Sequence, residues 1–139
     1  MHKIKKIFIV QKVNIKLKMT NLPLFPTQEI GSLQKPAWRV KGLKGAATDK
    51  DIKDLTQWYN KIGLQNRTEN AVKIINGIKT EKDSEKLNRL KQKLKEESQI
   101  FGLKLLEIAG LDIIYDGEQT RVEMYEDPIS DIDGFEFKG

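Results

Sequence analysis

The sequence predicts an α/β fold, and three observations carry that expectation. A segment that can form a short strand, Phe25 to Ile30, precedes several helical patterns, and a short apolar run, Leu111 to Tyr115, follows them. The longest helical pattern ends on Gly110, directly before that second segment. A short apolar run after a helix and a glycine reads as a buried parallel strand, and two parallel strands need a crossover between them.

The first eighteen residues stand apart. They hold six lysines and no acid, and "KIKKIFIVQKVNIKLK" alternates apolar and lysine over its second half, as an exposed strand or a loose tail does. Ile7 to Val10 is too short for a signal-peptide core. Residues 1–18 are therefore expected to be a basic extension, with the natural product starting at Met19 and one domain over 19–139. The net charge of +5 misleads: with six of the 25 basic residues in 1–18, the remainder carries 19 bases against 20 acids. That body has no basic excess to attract phosphate, so nucleic acid is not an expected partner. No window holds eighteen apolar residues, so no membrane partner is expected either. The 139 residues include no cysteine, which removes disulfides and thiolate ligands and is compatible with a cytoplasmic location.

From Leu22 to Trp38 the prolines oppose helix, Gly31 ends the first strand, and Pro36 keeps the next loop extended. Trp38 and Val40 are expected at a core edge. Residues 48–63 carry a helix-start signature, with Thr48 or Asp49 as cap and acids in the first turn. Ile52, Leu55, Trp58 or Tyr59, and Ile62 recur at helical spacing, and Gly63 can end the helix. Residues 68–78 can form a further short helix. In 83–110, Asp83 or Ser84 caps a stripe of Leu87, Leu90, Leu94, Phe101, Leu105 and Ile108, interrupted by Ser98. This is a core-facing helix, with a coiled coil as the alternative.

Ligands gather at the carboxyl ends of parallel strands. Two turns leave such ends: Ile30-Gly31-Ser32 and Asp116-Gly117-Glu118. Gly31 and Ser32 can offer N–H groups and a hydroxyl to an anion, while Asp116 and Glu118 can accept from an ammonium. Together they suit the zwitterionic head of an amino acid; singly, each is an ordinary turn with solvated acids.

At these positions the chain resembles the cobalamin-independent methionine synthases, in particular the short archaeal forms that correspond to the catalytic half of the longer enzymes. The residues that carry the resemblance are "LPLFPTQEIGS" at 22–32, "AGLDIIYDGEQTRVEMYE" at 109–126 and "DIDGFEF" at 131–137; it spans roughly 22–40 and 86–139. The resemblance implies a partial (β/α)8 TIM barrel comprising the first two β/α units. It implies homocysteine as substrate, held by Ile30, Gly31, Ser32 and Glu118, with Asp116, Gly117, Arg121 and Met124 in supporting roles. It also implies zinc as the metal that binds the substrate thiol, and a folate or a methylated corrinoid as methyl donor. Two departures qualify this. Leu33 and Gln34 follow the glycine-serine turn where many relatives have an aromatic and a proline. The family's zinc ligands are a histidine, two cysteines and a glutamate; this chain has no cysteine, and its one histidine, His2, lies in the basic extension.

The leading expectation is thus an N-terminal piece of such a methyltransferase, supplying the homocysteine head-group site, with a second polypeptide supplying the zinc site. The chain alone is expected to be inactive or a truncated remnant. The alternative is a small self-associating protein that binds an amino acid or a partner. A cation loop formed by Asp127, Asp131, Asp133 and Glu136 is a third reading, and it lacks the bidentate glutamate of a calcium loop at the required place.

Overall fold

The computed structural model of the chain describes residues 7–9, by their backbone, and 22–121. Strand β1 (Ile7–Ile9) is followed by α1 (Ala37–Leu43), α2 (Asp49–Lys61), a 3-10 turn at Gln65–Arg67, α3 (Thr68–Thr80), α4 (Ser84–Ile108) and β2 (Ile113–Tyr115). Met124, the four acids of the cation-loop reading, Met19 and His2 lie outside the described residues.

The caps set the helix starts. Thr48 accepts from the Asp51 N–H while the Asp51 carboxylate accepts from the Thr48 N–H, a reciprocal box at the head of α2. Asp83 accepts from the Lys86 N–H at 2.8 Å and opens α4. Gly63 and Gly110 follow α2 and α4 at positive φ. Helix α1 replaces the expected extended loop. Pro36 takes the N-cap position, with an extended backbone of its own, and its carbonyl accepts from Arg39 and Val40. Proline lacks an N–H, a group that has no partner at a helix start in any case.

The core lies among the helices. Trp38 of α1, Leu55 and Tyr59 of α2, Ile75 of α3, and Leu94 and Phe101 of α4 form one buried cluster with their neighbours. Trp38 meets Tyr59 and Phe101 edge-on, and Tyr59 stacks on Phe101 with ring centres 6.1 Å apart. Offset and edge-to-face contacts of this kind add to burial itself. Within the cluster Glu97, 2% exposed, accepts from Arg67, Asn70 and the Tyr59 hydroxyl. Burial first, then the Glu97 charge, pushes the Tyr59 phenol far above its ordinary value.

This architecture corrects the expected fold class. The chain is not an α/β protein with the first two units of a (β/α)8 barrel; it is a helical assembly in which α4 packs against α1, α3 and β2. The reason is physical. Among the described residues, strand is confined to β1 and β2, of three residues each, paired in parallel with Ile7 opposite Ile113. The segment expected as the first barrel strand makes one isolated bridge, Gln28 to Ile113. Pro23 and Pro26 keep it from extending the ladder. Barrel strands stack inward-facing side chains in layers, whereas here the main apolar cluster draws on no strand residue. None of the described helices is long and apolar enough to cross a membrane.

Candidate functional site

The Gln28–Ile113 bridge is parallel, so the segments that follow each partner leave on the same side. Register is fixed behind it. The Thr27 N–H and hydroxyl both donate to Asp112 Oδ2 at 2.9 Å, and Ile113 N–H donates to the Thr27 carbonyl. Ahead of it the two turns meet. Ser32 Oγ donates to Glu118 Oε2 at 2.6 Å, across 86 positions of sequence. The Tyr115 hydroxyl donates to the Gly31 carbonyl. Leu33 N–H donates to the Gly117 carbonyl at 3.1 Å.

The second turn is tightly built. Gly117 has φ +61°, and a Cβ on it would sit 2.5–2.7 Å from the Leu33 side chain, so a glycine is required on two counts. Glu118 itself has φ +60°, an uncommon conformation for a residue with a side chain. Asp116 holds it there: Oδ1 accepts from the Glu118 N–H at 3.0 Å, and Oδ2 from Gln99 of α4 at 3.3 Å. Gly102 of α4 lets this loop approach, since a Cβ there would be 2.9 Å from the Asp116 carbonyl oxygen.

Gln119 and Ser98 complete the support. Gln119, 1% exposed, accepts from the Ser98 hydroxyl at 2.7 Å and donates to the Leu33 carbonyl at 3.1 Å. The buried Arg39 guanidinium donates to the Arg121 carbonyl. Neither Gln119 nor Arg39 stands among the residues expected from sequence. The signal that could have found Gln119 is Ser98, a hydroxyl in the middle of an apolar stripe, which needs a buried partner.

Of the expected residues, Gly31, Ser32, Asp116, Gly117 and Glu118 thus come together, while Ile30 is 85% exposed beside them. Arg121 pairs with Glu118 through the same oxygen, Oε2, that Ser32 uses. Oε1 of Glu118 has no hydrogen-bond partner among the described residues, and neither do the Gly31 and Ser32 N–H groups. Burial first, then the Glu29, Glu118 and Asp116 charges, raises the Tyr115 phenol above its ordinary value. The site can accept from a cation through Glu118 and donate to an anion through the first turn.

Zinc does not fit the residues present. The chain lacks the cysteines of the expected ligand set, and among the described residues no three of His, Asp or Glu stand together as metal ligands. No protein-family model matches the chain, and neither curated proteins nor solved structures give a significant match.

Proposed function

We propose that the paired turns recognise the head group of a free amino acid, and that homocysteine is that amino acid. In this reading the chain contributes the substrate site of a homocysteine S-methyltransferase, and a second polypeptide contributes zinc and its ligands. The observation that carries the reading is the asymmetric use of the Glu118 carboxylate. Oε2 is engaged by Ser32 and Arg121, while Oε1 remains available to an ammonium. The Gly31 and Ser32 N–H groups are the matching donors for the α-carboxylate. The resemblance of 22–32 and 109–126 to the methionine synthases supplies the name of the substrate. The methyl donor is a folate or a methylated corrinoid, and it does not enter the test.

Titration calorimetry of the intact chain with L-homocysteine, and with its analogue lacking the amino group, tests this. Glu118→Gln is expected to weaken L-homocysteine by about tenfold or more, the worth of a charge-assisted hydrogen bond. The desamino analogue is expected to bind weakly to both proteins. Equal affinity for homocysteine and its desamino analogue overturns the ammonium assignment.

The engagement of Oε2 from two sides favours a second reading, in which Ser32, Glu118 and Arg121 are a clasp that joins the turns. In that case Ser32→Ala lowers stability and no amino acid binds.

A further inference from the structure

A groove of about 520 Å³ runs between α1 and α4. Its apolar strip is Val40 and Leu43, of which Val40 is 39% exposed. Its cations include Lys44, at the end of α1, and Lys91 and Lys95, one turn apart on α4. Among the described residues no acidic side chain lines the groove. Lys44, Lys91 and Lys95 make no ion pair or side-chain hydrogen bond among the described residues. Elsewhere on α4 Arg89 pairs with Glu85 and Lys104 with Glu107, while Lys86 and Lys93 also stand without an ion pair among the described residues.

The concentration of charge is local. Residues 19–139 hold 19 bases against 20 acids, so a groove whose described lining has cations and no acid departs from that balance. The combination selects among anions. Inorganic phosphate or a nucleic-acid backbone would neutralise the ammonium groups and leave Val40 and Leu43 in water. A peptide helix with an apolar stripe flanked by carboxylates would cover both features, because its i, i+3 and i+4 positions share one face.

We propose that the groove between α1 and α4 docks an acidic amphipathic helix of a partner protein, with its apolar stripe on Val40 and Leu43 and its carboxylates on Lys44, Lys91 and Lys95. Lysine pairing at a half-exposed rim is sensitive to ionic strength, and the apolar contact is not. The interaction is therefore expected to weaken with salt without vanishing.

The test uses the intact chain and a fluorescein-labelled synthetic helix of glutamate and leucine with the leucines on one face, followed by fluorescence anisotropy. Saturable binding is expected. The double substitution Lys91→Glu and Lys95→Glu is expected to weaken it about tenfold or more, and Val40→Asp to do the same with the helical signal of the protein unchanged. Glu118→Gln is expected to leave it unaltered. The proposal is overturned if a scrambled peptide of the same composition binds equally well. It is also overturned if a duplex oligonucleotide or inorganic triphosphate binds more tightly than the amphipathic helix, or if neither groove substitution changes the affinity.

Discussion

Arg67 meets Glu97 through a two-pronged contact: Nε lies 3.1 Å from one carboxylate oxygen and Nη2 lies 2.9 Å from the other. Arg67 sits in the 3-10 turn before α3, and Glu97 is a buried residue of α4. The pair ties the connection between α2 and α3 to the longest helix. Planar forks of this kind are more specific than a lysine point charge.

Arg67→Met is therefore expected to destabilise the chain. The Glu97 carboxylate would keep Asn70 and Tyr59 as partners and lose its counter-charge while still buried. Breaking a buried pair from one side costs about 3–5 kcal/mol, and the part-exposed position of Arg67 lowers the expectation to about 2 kcal/mol. Urea denaturation measures it. Glu97→Gln combined with Arg67→Met is expected to recover part of the loss, because no uncompensated charge then remains.

The Asp51 carboxylate predicts a pH dependence. The Lys41 ammonium, 2.8 Å away, and then the Thr48 hydroxyl and N–H hold it well below the usual carboxylate range. A carboxyl that titrates lower in the folded chain than in the unfolded chain adds stability above its unfolded value of about 3.9. That contribution is lost as pH falls further toward the folded value. Asp51→Asn is expected to lower the melting temperature at neutral pH and to flatten its decline below about pH 4. Thermal melts of both proteins across the acid range check the sign.

Glycine substitutions in the two turns are expected to differ. Gly31 has φ +91° with nothing within 4 Å of a built Cβ, so Gly31→Ala carries backbone strain alone, about 1 kcal/mol. Gly117→Ala adds a collision with Leu33 to the same kind of strain, and about 2–3 kcal/mol is expected. Denaturant midpoints for the two variants give the comparison; equal losses would show that the Leu33 contact relaxes freely.

Much of the helical part was legible because its determinants are local. Thr48 with acids three residues on, the recurrence of Leu55, Tyr59 and Ile62, and the stripe through Leu94 and Phe101 each specify a helix within one or two turns. Helix α1 was hidden because Pro36 serves an extended loop and a helix start equally well. The stripe of α4 drifts at its end, where Leu106 is buried and Ile108 is 55% exposed, since a helix leaving its core no longer follows one seam. Fold class was misread for a non-local reason. Phe25–Ile30 can take an extended form, and whether it extends a ladder depends on neighbours that its composition does not reveal. The contact of Ser32 with Glu118 was anticipated only as two strand ends lying side by side. Gln119, which underpins it from within, was hidden because its partners are Leu33 and Ser98, neither of them a sequence neighbour.

The polypeptide between Ser32 and Glu118 contains every described helix. Their handshake therefore reports on the whole loop it closes: the two ends meet only while the intervening bundle is assembled. A small molecule gripping both ends would act as a remote brace, raising the melting point of α2 and α3 without touching them, by an amount set by its concentration relative to its dissociation constant.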